Sequence, residues 1–250
     1  MAFIETEGLV LKSFNLNDAD KIVVFLTREH GVIRGVAKGA KRLKSKFGSG
    51  LEPFSLVKLS YAHKEVLELV SIKDTELIKS NFAAASNPEF IRKFAYLANL
   101  LIAISPPHDP NETLYRMAIA CLETAALNAA SIDSTGVYFE FWLLQLAGYL
   151  PDWSKCDGCS RSLTDNENTF LLPNFHVVCG QCRRSGIGRT LDAGTRATIS
   201  EARRASPTNF ASIMVGREND IVQASTILKR IFSEYIGKEI VGESASGIRT

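Results

Sequence analysis

Four of the chain's five cysteines stand as two C-x2-C pairs, Cys156-Asp157-Gly158-Cys159 and Cys179-Gly180-Gln181-Cys182, with 19 residues between them. That spacing is the one in which two tight turns each present a pair of thiolates to one metal ion. Gly158 and Gly180 suit such turns. Two turns face to face complete a tetrahedron, and four protein ligands leave no open coordination position, so a zinc ion here would hold structure and not perform hydrolysis. Two disulfides or four unrelated thiols are the rival readings; a reducing compartment disfavours the first, and the paired spacing disfavours the second. His176, three residues before Cys179, could exchange with a cysteine ligand, although a loop histidine is the plainer reading. Arg161, Arg183, Arg184 and Arg189 offer charge balance to a four-thiolate centre or contacts to phosphate, and charge balance is preferred. Cys121, among Ala118, Ile119 and Leu122, reads as a small core residue.

The second chemical feature is a basic, glycine-rich run, GVIRGVAKGAKRLKSKFGSG, over residues 31–50. It interleaves Arg34, Lys38, Lys41, Arg42, Lys44 and Lys46 with five glycines. Lys and Arg displace counterions from a phosphate chain and give affinity without sequence preference. Glycine lets the backbone approach that chain, and Phe47, or an aromatic residue on the barrel face, could stack on a base. The segment reads as a long, mobile loop after the third strand; a solvated basic loop without a partner is the bland alternative. Residues 1–80 hold 13 Lys+Arg against 10 Asp+Glu, and residues 81–250 hold 16 against 17, so the positive excess lies at the front.

Catalytic signatures are missing. There is no GxxxxGK[ST] loop, HExxH or G-x-S-x-G elbow. The histidines His30, His63, His108 and His176 all fall in predicted loops. Ser55-x-x-Lys58 lacks its partner motifs, and Asp18 and Asp20 are better explained by a turn before a strand. No enzyme activity is expected.

Two elements must position these features. The first 75 residues read as five short strands rich in β-branched and aromatic residues: Phe3–Lys12, Ile22–Thr27, Val32–Val36, Phe54–Tyr61 and Val66–Lys73. Turns at Asn15–Asp20, His30–Gly31 and Ala62–Lys64 separate them. Five strands suit a small barrel, OB-like or SH3-like, and strand count does not separate the two. After Leu77 the period becomes helical. Asn87-Pro88 opens a helix with Phe90, Ile91, Phe94, Leu97, Leu101 and Ile104 at helical spacing, which Pro106-Pro107 stops. Asp109-Pro110-Asn111-Glu112 reads as a capping box for a helix to about Ala130. Further helices are expected at about Thr135–Leu146, Asp192–Ala205 and Asp220–Ile236, the last capped by Gly237 and followed by a frayed GESASGIRT tail. With 46% apolar and 22% charged residues, the chain is expected to be globular. The apolar stretches near Leu97–Ile104 and Met117–Ile132 fall short of the ~20 residues of a membrane span, and a basic and apolar leader is not seen. A soluble intracellular protein is expected.

The chain also resembles a known family. Gly8-Leu9-Val10-Leu11-Lys12, Asp20-Lys21-Ile22-Val23, Leu26 through Gly31, Gly35-Val36-Ala37-Lys38-Gly39-Ala40-Lys41-Arg42 and Leu51-Glu52-Pro53-Phe54 are similar to the N-terminal domain of the RecO family of bacterial recombination mediators. Phe139 through Tyr149, the cysteine pairs, and Leu228-Lys229-Arg230-Ile231-Phe232 into Tyr235-Ile236-Gly237 extend the likeness over nearly the whole chain. The resemblance implies an α+β protein: an N-terminal five-stranded OB-fold barrel (1–80), then an all-α domain (81–250) with a four-cysteine zinc-binding insertion at about 153–185. It implies binding of single- and double-stranded DNA and annealing of complementary strands. The implied partners are RecR, the single-stranded-DNA-binding protein SSB, and functionally RecF and RecA, in the cytoplasm at the nucleoid. An arginine usual in the family's AKG-x-R-R segment is Lys41 here, which keeps charge and loses one bidentate grip. The alternative is a zinc-ribbon nucleic-acid-binding factor, in transcription or an RNA-related role, that does not anneal strands.

Overall fold

The computed structural model of the chain describes residues 2–63, 69–164, 167–184 and 186–236. They fall into two compact units, residues 1–129 and residues 130–240.

The first unit is built on a closed barrel of β1 (Ala2–Asn15), β2 (Lys21–Thr27), β3 (Gly31–Ala37), β4 (Leu56–His63) and β5 (Val70–Lys79), in the order β1-β2-β3-β5-β4. The long β1 closes it. Its first half pairs with β4 and its second half with β2, and the register shifts between Val10 and Lys12. Such a bulge bends a strand sharply enough to serve two neighbours. β3 and β5 run parallel through Gly35–Ala37 and Val70–Ile72. This order, with one shared first strand and one parallel pair, is that of an OB-fold and settles the choice that strand count left open. The parallel seam is tight: a Cβ on Gly35 would stand 2.3 Å from Ile72 Cδ1. Alternation along the strands sends Val10, Val23, Phe25, Ile33, Val57, Leu59, Tyr61 and Ile72 inward to one core.

Two helices complete this unit, α1 (Pro88–Ile104) and α2 (Glu112–Leu127). The Asn87 side chain caps α1 by accepting from Glu89 N–H, with Pro88 in the first turn. Phe90, Phe94, Leu97 and Leu101 are buried as the spacing predicts, whereas Ile91 is 44% exposed. Phe54 meets Phe90 and Phe94 edge-on at 6.0 and 6.1 Å. The cap of α2 is Asn111, whose carboxamide oxygen accepts from Leu114 N–H at 2.9 Å. The expected cap, Asp109, lies outside the helix, which begins at Glu112. The helix stops at Leu127, short of Ala130.

In the second unit α3 (Ile132–Leu146) begins three residues earlier than expected and is buried along most of its length. It packs against α4 (Ala193–Arg204), α5 (Pro207–Ile213) and α6 (Glu218–Ile236). Tyr138 and Trp142 of α3 donate to the carbonyls of Ala205 and Ala202, each at 3.0 Å. α4 begins about where expected, with the Asp192 side chain as its cap. Two features escaped the pattern reading. One is the seven-residue α5, capped by Ser206. The other is a three-stranded sheet of β6 (Thr169–Leu171), β7 (Val177–Cys179) and β8 (Arg189–Leu191), in the order β7-β6-β8. Three-residue strands and two-turn helices carry too few residues for a period to show. The expected strand Val66–Lys73 lies partly, and Gly237 with the tail wholly, outside the described residues.

Candidate metal centre and candidate nucleic-acid interface

Cys156 and Cys159 sit on a turn after Trp153, whose indole N–H donates to Phe175 O at 2.8 Å. The turn is stitched by Cys156 N–H to Arg161 O, Ser160 N–H to Cys156 O, and Asp157 N–H to Val177 O. Cys179 ends β7, and Cys182 follows on a turn closed by its N–H to Cys179 O at 3.2 Å. The four Sγ atoms lie within 4.8 Å of one another. Metal–sulfur bonds of about 2.3 Å put tetrahedral sulfur–sulfur edges at about 3.8 Å, so the cluster fits a zinc-sized cation. Gly158 is part of that fit: a Cβ there would meet Cys182 Cβ at 2.8 Å and Sγ at 3.0 Å. Gly180 is not, because a Cβ there meets nothing within 4 Å.

The electrostatics point the same way. The Cys182 N–H, against the opposing effect of burial, holds the Cys179 thiol down to about 6. Burial would raise Cys156, but the N–H groups of Cys179, Cys159 and Gly158 bring it below its ordinary value. Cys182, facing Cys159 first and then Cys179 and Cys156, is pushed up to about 12. Backbone donors thus favour thiolates, while sulfurs crowded together resist losing the last proton. A cation in the middle removes that conflict.

Arg161 is the arginine that reaches the sulfurs. Its guanidinium is held charged by Glu167 first and by Cys179 second. Four thiolates on a divalent cation would carry about −2, which this contact would offset. Arg183 lies over the Phe170 ring, 4.0 Å from its centroid, and Arg184 and Arg189 are exposed. His176 pairs through Nδ1 with Asp157 at 2.7 Å and is not in the four-sulfur cluster. Cys121 is fully buried against Met117, and burial pushes its thiol up, so it is a core residue as expected.

In the first unit, Arg34 projects from β3, and Lys38, Lys41, Arg42, Lys44 and Lys46 follow it; all six are exposed. Among the described residues none of the six forms an ion pair. The long segment after β3 is a succession of turns. Arg42, Ser45, Gly50 and Glu52 N–H groups donate to Gly39, Arg42, Phe47 and Ser49 carbonyls. The β1–β2 loop fastens its start: Asp20 Oδ1 accepts from Gly39 N–H at 2.7 Å, Ala19 O from Lys41 N–H at 2.9 Å, and Asn17 O from Lys41 Nζ at 3.0 Å. The Gly39 N–H, and then the Asn17 side chain, hold the Asp20 carboxyl below its ordinary value. The turn reading of Asp20 therefore holds, and its anchoring of the basic segment is new.

Two sequence expectations change here. Phe47 is 3% exposed and belongs to the barrel core, so it cannot stack on a base. Gly31 and Gly35 serve packing and not phosphate approach, since a Cβ on Gly31 would fall 2.2 Å from Asp109 O. One cation was overlooked. Lys12 on β1 pairs with Val24, which pairs with Arg34, so the three lie in one row across the sheet. Period-two alternation beyond the Val10–Lys12 bulge places it there, and a bulge is not visible in sequence.

Two family models match the chain: "Recombination protein O N terminal" over residues 1–81 and "Recombination protein O C terminal" over residues 94–242. Among curated relatives, a DNA repair protein RecO of Koribacter versatilis is 29% identical over 238 residues, 95% of each chain. One of Bifidobacterium adolescentis is 32% identical over 186 residues, 72% of this chain and 73% of the relative. One of Dehalococcoides mccartyi is 24% identical over 214 residues, 86% of this chain and 83% of the relative. No described helix is long and apolar enough to cross a membrane.

Proposed function

The chain belongs to the RecO family of DNA repair proteins, and from that premise we propose that it is a non-enzymatic recombination mediator that binds single- and double-stranded DNA and anneals complementary strands. The observation that carries this reading is the set of six exposed cations, none in an ion pair among the described residues, on one strand and its following turns, on a barrel of OB topology. Lys and Arg so placed release counterions from phosphate, and that term favours any nucleic acid chain. Two strands repel each other through their phosphates. A protein that neutralises part of that charge lowers the repulsion, and base pairing then drives annealing without a nucleotide cofactor. The pinned β1–β2 loop matters because cations on an ordered segment lose less conformational entropy on binding than those on a free loop.

In this reading residues 1–80 are the DNA-binding domain, with Arg34, Lys38, Lys41, Arg42, Lys44 and Lys46 as phosphate contacts. Residues 81–250 are the helical domain, with Zn²⁺ on Cys156, Cys159, Cys179 and Cys182 as a structural staple at about 153–185. Zinc would supply cross-linking of two turns and no chemistry at an open site. The protein acts at the nucleoid with SSB, which presents coated strands, with RecR, and functionally with RecF and RecA. Purified full-length protein should anneal SSB-coated complementary oligonucleotides without nucleotide. Annealing no faster than the SSB-coated strands alone would reject the mediator reading, and strand cleavage on adding Mg²⁺ would replace it with a nuclease.

A further inference from the structure

We propose that Phe14 is a stacking platform for an unpaired base, with Lys12 and Arg34 taking the flanking phosphates, so that this face of the barrel engages single-stranded nucleic acid. The inference rests on the DNA-binding reading above and adds the form of strand that this site selects.

The face follows from the register. Lys12 is opposite Val24 and Val24 opposite Arg34; Phe14 is opposite Ile22 and Ile22 opposite Val36. Alternation puts these six on one side of the β1-β2-β3 sheet, the side away from Val23, Phe25 and Ile33 in the core. Phe14 is 50% exposed there, and Leu16 beyond it is 47% exposed. A phenylalanine so exposed beside cations forgoes the burial that its ring would gain in a core. Lys12 Nζ stands 5.8 Å from the Phe14 ring centroid. Burial lowers the Lys12 ammonium below its ordinary value, and the neighbouring Arg34 lowers it further. Neither cation has an ion-pair partner among the described residues, so an anion between them would relieve like-charge repulsion. Lys12 and Phe14 are about 7 Å apart along the strand, roughly one nucleotide of a stretched single strand.

The site also connects to the basic turns. The β1–β2 loop that follows Phe14 is the one held to Gly39 and Lys41, so a backbone gripped by Lys38, Lys41 and Arg42 runs toward the ring. Aromatic side chains stack on any base with little sequence preference, but only when the base is free of a duplex. Charge complementarity therefore selects a nucleic acid, and the exposed ring selects an unpaired one.

The test uses the full chain as wild type, Phe14→Ala and Phe14→Trp, with three probes: a thymidine homopolymer, an abasic strand of equal length, and a blunt duplex. Wild type should bind the thymidine strand about tenfold tighter than the abasic strand. Phe14→Ala should erase that difference and leave duplex affinity and the salt slope unchanged, with its circular dichroism melt checking the fold. Phe14→Trp should keep the difference and show tryptophan quenching with the thymidine strand beyond that of wild type. If Phe14→Ala keeps the base dependence, or weakens strand and duplex alike, the stacking role is wrong. Salt-dependent binding of all three probes by wild type without base dependence overturns this inference alone. Binding of none overturns the DNA-binding reading with it.

Discussion

Replacing Lys38, Lys41 and Arg42 with alanine should halve the salt dependence of DNA binding. Six exposed cations follow from Arg34 to Lys46, and none is engaged in an ion pair among the described residues. If each meets one phosphate of a single strand, log K falls with log salt at a slope of about −4, at about 0.7 per contact. Three contacts leave a slope of about −2. Between 50 and 200 mM salt the wild type should then lose about 300-fold in affinity and the triple variant about 20-fold. Fluorescence anisotropy of a labelled oligonucleotide over a salt series measures both slopes. Lys41 also donates from Nζ to Asn17 O at 3.0 Å, so its removal could loosen the turn. Its backbone bond to Ala19 O and the Gly39–Asp20 bond survive the change, and a Lys41→Arg control restores the charge. A slope that stays near the wild-type value in the triple variant would exclude these side chains as the main phosphate contacts, however much the affinity itself drops.

Three other outcomes follow from the geometry. Gly158→Ala should weaken metal retention about tenfold, the size of an outer-shell disturbance, whereas Gly180→Ala should not; cobalt-thiolate absorbance under competition with a chelator compares them, and equal retention would refute the steric reading of Gly158. Phe47→Ala should cost about 3–5 kcal/mol of stability and weaken single- and double-stranded binding together, as a core residue does and a stacking residue does not; urea denaturation reads the first effect and anisotropy the second. Asp20 has a folded pKa below its unfolded value, so its ionised form stabilises the fold above the ordinary carboxyl value of 3.8, and that contribution is lost as pH falls through the folded pKa. Asp20→Asn should therefore melt at a lower temperature than wild type at neutral pH, with the gap closing in acid; a gap independent of pH would show that the charge is irrelevant.

The two halves of the fold were legible in the sequence to different degrees. The five strands and the long helices α1, α3, α4 and α6 announce themselves because period two or period 3.6 is sustained over enough residues. Asn87-Pro88 and Asp192 mark their helix starts through local hydrogen bonding alone. Near Asp109 the local signal misled. Two candidate caps stand two residues apart, and the second, Asn111, is the one whose side chain closes the first turn. The three short strands around the cysteines had no period to display.

What the sequence determined by itself is the chemistry available: four thiols in two turn-forming pairs, six cations in a short run, and a strand-rich front before a helical back. Residue type and short-range spacing decide those, because turns and metal grips close within a few residues. Tertiary structure alone decided which of these groups share a site. Phe47 went into the core while Phe14 stayed on the surface, although both are aromatic residues next to lysines. The bulge in β1 put Lys12 in a row with Arg34, some 20 residues away in the chain. Asp20 was drawn to Gly39, and Arg161 to Cys179. The Lys12–Arg34 row is set by strand register, and the other placements by how the loops between strands fold back. Register depends on contacts made across the barrel or sheet, and a linear pattern does not encode it.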